Sequence, residues 1–358
     1  MIDEIKSIAD IQKLVKSGFD DWQQYGYVTV RERDDLLIFN YNTMAVYSDR
    51  WSFFERVSRG LIINRKTGEI VARPFDKFFN WFQGGRRARG HIVSVTEKVD
   101  GSVGILYRHK GAYHISTRGS FESPQSQWAT EYLNTLFDLS DLDDSLTLIF
   151  EIVYPDNRII VDYGDREDLV LLAARNRFTG EYLPFFPDLY DLSMRYGFTL
   201  PKVHAFNDLV QILEKTGEID EDEEGYVVEF SDGNRFKFKG DRYLELQKLI
   251  TSLTFKNVLK AVQSNKIHKV LDTVPDEFLG EVRGWIDDIE STVTAIKAEV
   301  KAVYADAPKD DRKVFAEWVK ENYPKLSKYL FFKFDQKDFA PLIYYTYEWK
   351  QLENKFNE

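Results

Sequence analysis

Thr96-Glu97-Lys98-Val99-Asp100-Gly101-Ser102-Val103-Gly104 reads as strand, turn, strand, with a lysine three residues ahead of a glycine. Residues 91–99 and 103–107 have strand character on either side, and Gly101 supplies the backbone freedom that a tight turn needs. Lys98 would then project from a strand end into a cleft. An amine is a nucleophile only when neutral, so a functional Lys98 requires desolvation or neighbouring cations to lower its pKa. Two cations are available downstream, at Lys237 and Lys239. The bland alternative is a surface lysine on an exposed hairpin, which this segment alone suits equally well.

Strand signals continue on both sides of this segment. Tyr27–Arg33 and Leu36–Tyr41 flank Asp34-Asp35 as a hairpin, and Gly60–Asn64 and Glu69–Arg73 flank Lys66-Thr67-Gly68 in the same way. Ala112–Thr117 follows the turn Lys110-Gly111. Leu146–Val153, Arg158–Tyr163 and Leu169–Ala174 are rich in β-branched and aliphatic residues, which predicts inner strands. Ile5, Ile8, Ile11, Leu14 and Val15 at helical spacing predict an opening helix over 2–17. Further helices are expected near 126–137, 187–196 and 206–215, before two strands, Gly225–Phe230 and Arg235–Lys239. Strands in blocks with helices between them predict an α+β domain built on antiparallel sheets. After Gly240 helical periodicity takes over, at 241–264, 276–304 and 310–330, so the expected organisation is a first domain over 1–245 and a small all-helical domain over 246–358.

Three further clusters carry chemistry. Leu148-Ile149-Phe150-Glu151-Ile152-Val153 places one carboxylate in an apolar strand, which costs several kcal/mol unless a hydroxyl, cation or metal satisfies it. Glu224 closes an acidic run that starts at Glu218. Most of that run reads as solvated loop, but Glu224 stands where a strand begins and suits Mg2+, which needs only one or two carboxylates. In Arg235-Phe236-Lys237-Phe238-Lys239 the alternation puts Lys237 and Lys239 on one strand face and two phenylalanines on the other. Two like charges on one face repel unless an anion lies between them. An edge strand guarded by lysines is the competing reading.

The 358 residues are 43% hydrophobic with a formal charge of −11, so two cores fit, and coating nucleic acid by charge alone is excluded. A local basic stretch remains, Arg59, Arg65, Lys66, Arg73, Lys77, Arg86, Arg87 and Arg89 against only Glu69 and Asp76. No cysteine is present, which excludes disulfides, thiol nucleophiles and thiolate metal sites. No stretch reaches the roughly 20 apolar residues of a membrane span, and no signal-peptide pattern opens the chain, so a cytoplasmic protein is expected.

Taken together, the clusters resemble the covalent nucleotidyltransferase superfamily of ligases and capping enzymes, and most closely the RNA ligase 1 family of bacteriophages, over most of residues 25–245. Supporting matches are Phe39-Asn40-Tyr41-Asn42, Arg59-Gly60-Leu61, Arg73 to Asn80, Thr117-Arg118-Gly119-Ser120 and Pro155 to Ile160. The resemblance implies an α+β nucleotidyltransferase domain of ATP-grasp-like antiparallel sheets. It implies an ATP-dependent RNA ligase in which Lys98 carries AMP, Glu151 meets the ribose or helps with metal, Glu224 binds Mg2+ (with Mn2+ able to substitute), and Lys237 and Lys239 grip phosphates. Tyr41, Arg59, Lys77, Phe79, Arg118, Val227 and Tyr243 match nucleotide-pocket positions, and Asp276 matches a metal-binding one. Arg118 stands where the family usually has lysine, which keeps the charge and changes its geometry.

The implied partner is RNA with 5′-phosphate and 3′-hydroxyl ends, nicked tRNA among the options, joined by a monomer in the cytoplasm, that of a host if the source is viral. The helical tail, with Trp285, Trp318, Tyr329, Phe331, Phe332, Tyr344, Tyr345 and Trp349, is expected to bury most of its aromatics and is a candidate for RNA choice. Val103 stands where DNA ligases and capping enzymes carry arginine, and the tail lacks their OB-type barrel pattern, which favours RNA joining over those alternatives. A catalytically silent RNA-binding relative is opposed by the intact Lys98, Glu151, Glu224, Lys237 and Lys239. No Gly-Lys-Ser/Thr phosphate loop occurs.

Overall fold

The computed structural model describes residues 4–81, 83–220, 222–250, 253–271, 274 and 278–346. The chain divides into two compact units, residues 1–247 and 248–358. In chain order the first unit holds α1 (Ile8–Lys16), β1 (Val28–Arg33), β2 (Leu36–Tyr41), α2 (Thr43–Tyr47), α3 (Phe53–Val57), β3 (Arg59–Asn64), β4 (Ile70–Ala72), β5 (Phe79–Asn80) and β6 (Ile92–Glu97). It continues with β7 (Ser102–His109), β8 (Ala112–Ser116), α4 (Pro124–Leu136), β9 (Leu146–Val153), β10 (Asp168–Asn176), α5 (Tyr190–Tyr196), α6 (Leu209–Gly217), β11 (Gly225–Phe230) and β12 (Arg235–Lys239), and α7 (Asp241–Ile250) begins in it and ends within the second unit.

Three four-stranded sheets result, in the orders β1-β2-β3-β4, β10-β9-β7-β8 and β5-β12-β11-β6. The class is α+β, but the third sheet is not wholly antiparallel, because β5 runs parallel to β12 with Phe79 beside Phe236. A two-residue strand made by a loop returning to a sheet edge leaves no period for sequence to show.

Local chemistry explains the elements. Ser7 caps α1 in a capping box with Asp10, and Ile8, Ile11, Leu14 and Val15 turn the apolar face onto Trp22, Phe39 and Phe54. Along β9 the pleat sends Leu148, Phe150 and Ile152 toward α4, leaving Ile149, Glu151 and Val153 on the opposite face. In the third sheet Val95, Tyr226, Val228, Phe230, Phe236 and Phe238 form one core. The other face presents Ser94, Thr96, Val227, Glu229, Arg235 and Lys237 to a cleft. Residues 199–204 stitch the second and third sheets together: Leu171 N donates to Thr199 O (2.7 Å), Glu97 N to Lys202 O (2.8 Å) and His204 N to Val95 O (2.9 Å).

Arg158–Tyr163 is not a strand, despite its β-branched residues. Its Ile160 and Val161 N–H groups donate to the Asp100 carboxylate (2.8 and 2.9 Å) rather than to a neighbouring strand. The expected helix at 206–215 begins later, at Leu209, because Asp208 caps it through Gln211 N.

The second unit holds α8 (Phe255–Gln263), α9 (Ile267–Leu271), α10 (Leu279–Ala305), α11 (Arg312–Asn322) and α12 (Ser327–Phe334). The expected helix over 310–330 is broken at Tyr323-Pro324, where a 3-10 turn intervenes. Phe315 is fully buried among Trp318, Phe331 and Phe334, and Trp285 packs on Phe255. Tyr345, expected among the core aromatics, is 60% exposed, and Trp349 lies outside the described residues. No helix among the described residues is long and apolar enough to cross a membrane.

Candidate active site

Lys98 follows the last residue of β6, and its backbone N–H bonds Gly225 O (2.8 Å), so the register of β6 on β11 fixes where the lysine leaves the sheet. Glu224 directly precedes β11, and Lys239 ends β12 opposite Gly225. Three strand ends of one sheet therefore bring three charges together. Nζ of Lys98 is 2.5 Å from Oε2 of Glu224, and Nζ of Lys239 is 3.0 Å from Oε1 of the same carboxylate. Side-chain exposures of 18%, 3% and 9% for Lys98, Glu224 and Lys239 take this triad largely out of water. Burial alone would raise the Glu224 carboxyl, but Lys98 and Lys239 outweigh it and hold it below its ordinary range.

Gly225 is the position that this junction requires to be glycine. Its φ is +142°, and a Cβ there would lie 1.9 Å from Phe238 O.

The loop after Lys98 is held from behind. Asp100 is buried and accepts from Ile160 N, Val161 N and the Tyr243 hydroxyl (2.9 Å), while its own N–H donates to the Tyr163 hydroxyl (2.9 Å). Ser102 donates to Asn157 Oδ1 (3.0 Å), and Asn157 Nδ2 donates to Ile152 O (2.7 Å). Asp100, Asn157 and Tyr163 carry this support. The sequence hinted at two of them only through the motif Pro155 to Ile160 and the turn Val99-Asp100-Gly101.

Beyond Lys98 opens a cleft between the inner faces of the second and third sheets. Arg59, Lys98, Glu151, Val227 and Lys237 line it, together with an apolar wall that includes Val99, Leu172, Leu183 and Phe185. Burial, opposed by Lys98 and reinforced by Glu224, pushes the Glu151 carboxyl up to about 7. Arg59 is 8% exposed, and its Nη1 is buried without a hydrogen-bond partner. An orphaned guanidinium nitrogen in a cleft that also holds Lys237 suits an anion.

The remaining pocket positions stand elsewhere. Tyr243 lies under the site, bonded to Asp100 with Lys239 Nζ 5.2 Å from its ring centroid. Tyr41, Lys77, Phe79 and Arg118 form a second cluster: Lys77 Nζ is 5.4, 5.0 and 5.6 Å from the ring centroids of Tyr41, Trp51 and Phe79, and Arg118 donates to the Tyr41 hydroxyl (2.9 Å). Trp51 had no sequence signal. A hollow bordered by Lys77 and Arg56 adjoins the cleft, sharing Phe75, Phe78 and Arg235 with it. Asp276 lies outside the described residues.

One sequence expectation changes. The basic stretch from Arg59 to Arg89 is not one groove: Arg65 pairs with Glu32, Arg59 and Lys77 are buried, and Arg86 lies 4.0 Å from the Phe79 ring centroid and 3.4 Å from Asp49. On β12, Lys239 contacts the Glu224 carboxylate and Lys237 lines the cleft.

The family model described as RNA ligase matches residues 57–243, which span the cleft, the triad and its supporting loop. This chain belongs to the RNA ligase family. The family chain is 30% identical over 247 residues to a protein of Autographa californica nuclear polyhedrosis virus named, with a mark of provisional assignment, bifunctional polynucleotide kinase/RNA ligase; the match covers 60% of this chain and 34% of that one. It is 30% identical over 183 residues to a Thermovibrio ammonificans protein provisionally named RNA ligase, covering 49% and 47%. It is 24% identical over 327 residues to the RNA ligase of Rhodothermus phage RM378, covering 70% and 72%. The chain thus spans a third to a half of the length of the first two relatives.

Proposed function

We propose that this RNA ligase family chain is an ATP-dependent enzyme that joins RNA 5′-phosphate and 3′-hydroxyl ends through AMP carried on Lys98. The observation that carries the reading is the position of Lys98: at a strand end, on the buried Glu224, at the head of a cleft whose Arg59 has an unpartnered nitrogen.

The apolar wall, with Val227, accommodates adenine, Glu151 meets the ribose, and Arg59 and Lys237 take phosphate oxygens. A triphosphate tail reaching Lys77 would pass Phe78 into the adjoining hollow, where Tyr41, Trp51 and Phe79 hold that lysine and Arg118 holds Tyr41. Lys98 passes one proton through Glu224, whose Oε2 it contacts at 2.5 Å, to solvent. Its neutral nitrogen attacks the α-phosphorus, the P–O bond to pyrophosphate breaks, pyrophosphate leaves with the electron pair, and the nitrogen sheds its second proton to solvent. An oxygen of the RNA 5′-phosphate then attacks the same phosphorus, and the P–N bond breaks back onto Lys98. Finally the 3′-hydroxyl attacks the 5′-phosphorus and AMP departs. Each step is an in-line displacement, so Arg59, Lys237 and Lys239 contribute position and charge.

Among the described residues no three of His, Asp and Glu stand close enough to hold a metal alone. Mg2+ fits such a site, because it takes one or two carboxylates and completes its shell with water and phosphates. Glu224 with Glu151 would hold it, or Mn2+ in its place, and it would supply charge neutralisation at the phosphates. Asp276 stays a metal candidate on the resemblance alone.

Substrate RNA, with nicked tRNA as one option, would be selected by the helical second unit, and the enzyme would act as a monomer in the cytoplasm, that of a host if the source is viral. Sealing assays on nicked anticodon loops and on linear single strands, with ATP or GTP and with RNA or DNA ends, test this. ATP-dependent RNA joining is expected; GTP-only adduct formation or DNA-only joining overturns it.

A further inference from the structure

A second groove runs along the outer edge of β6, away from the phosphate end of the cleft. Its sides are β6 and the antiparallel segment 203–207, tied by the Thr96–Val203 bridge, and Phe185 and Ser94 belong to both groove and cleft. The groove is aromatic and open. Phe186 is 58% exposed, Val93 57% and Val203 43%. Phe186 rests edge-on against Phe185 (5.0 Å between centroids), and His204 stacks on Phe206 (5.2 Å). At the end of β6 far from Lys98, the chain enters through the exposed Arg87 and Arg89. Six residues of strand give the groove a length of roughly 20 Å between those arginines and the catalytic loop.

Water-exposed rings leading from a reaction cleft toward exposed arginines match the needs of single-stranded nucleic acid, whose bases stack on aromatic faces while its phosphates track cations. Continuity with the cleft and membership of an RNA ligase family name the occupant. We propose that this groove binds the unpaired nucleotides next to an RNA end, with a base stacked on Phe186 and the backbone running toward Arg87 and Arg89. The proposal rests on the reading of the chain as an RNA-joining enzyme and deepens it, by giving the polymer a path that the nucleotide cleft does not provide.

Binding of a fluorescent 5′-phosphorylated oligoribonucleotide to the full chain, by anisotropy without ATP, tests it. Phe186→Ala should weaken binding roughly 5- to 100-fold, Phe186→Trp should restore it, and the Arg87→Ala, Arg89→Ala double variant should reduce the salt dependence. One abasic position near the RNA end should weaken wild type and leave Phe186→Ala indifferent. Lysyl-AMP formation from ATP alone should be unchanged in Phe186→Ala. Wild-type affinity in Phe186→Ala, equal sensitivity to abasic sites in both proteins, or loss of lysyl-AMP formation in that variant overturns the groove. A chain that binds RNA through Phe186 yet forms no lysyl-AMP keeps the groove and sinks the ligase reading; the reverse result does the opposite.

Discussion

Nζ of Lys98 lies 2.5 Å from Oε2 of Glu224, so the nucleophile we propose is held by the same carboxylate that we propose for the metal. Lys239 takes the other oxygen of Glu224 at 3.0 Å. Under the proposed function both lysines would have to leave Glu224 before it could serve an ion, Lys98 as the neutral nucleophile and Lys239 to a phosphate.

Removing the charge of Glu224 exposes that dependence. Glu224→Gln leaves two largely buried amines without their counter-ion, and thermal denaturation should show a loss of about 3 kcal/mol or more at pH 7. Because the folded-state pKa of Glu224 is depressed, the wild-type advantage is present above the carboxylate's unfolded pKa. It should shrink as pH falls through the lower folded value. Sulfate or pyrophosphate should stabilise the variant more than wild type, by supplying the missing anion.

Glu151 carries the opposite sign. Its carboxyl is raised from 4.5 to about 7, so the folded state holds a proton that the unfolded state has released between those values. Stability then falls as pH rises through this window, by up to about 3 kcal/mol at ~1.36 kcal/mol per pH unit. Glu151→Gln should abolish that slope and be the more stable protein at pH 8, while nucleotide transfer drops. Melting curves at pH 5 and pH 8 on both proteins decide it.

How much of this was legible in the sequence depends on what kind of force places each residue. Hairpins around Asp34-Asp35 and Lys66-Thr67-Gly68 follow from turn chemistry, and the two-residue period of β9 and β12 puts Glu151 and Lys237 on definite faces. Long-range pairing was not legible. Ile159-Ile160-Val161 has strand composition, yet the N–H groups of Ile160 and Val161 serve Asp100 and Ile159 is 41% exposed. Nor does any local signal bring Trp51 to Lys77, or tell that Glu224 would be seated between Lys98 and Lys239.

The support beneath the Lys98 loop should separate positioning from stability. Tyr243→Phe removes one of three hydrogen bonds to the buried Asp100 carboxylate and should cost about 1–2 kcal/mol. Asp100→Ala strands the Ile160 and Val161 amides as well and should cost more, with a slower adenylylation step at saturating ATP. Rapid-quench measurement of that step, beside melting curves, checks the order; equal rates in both variants and wild type would deny the loop a positioning role.

At Gly225 the constraint is steric. Gly225→Ala drives a Cβ into Phe238 O at a backbone angle that favours glycine, so β11 and β12 must separate where Glu224 and Lys239 leave them. Expression of soluble, folded Gly225→Ala with a wild-type melting curve would contradict the junction described above.

Intact-protein mass spectrometry after incubation with ATP and Mg2+ shows whether AMP is carried on Lys98. One AMP should add to the wild-type chain, map to Lys98 by peptide analysis, be absent from Lys98→Ala, and be lost in acid. Adduct formation on Lys98→Ala, or a wild-type chain that stays unmodified in the presence of both, would contradict the account.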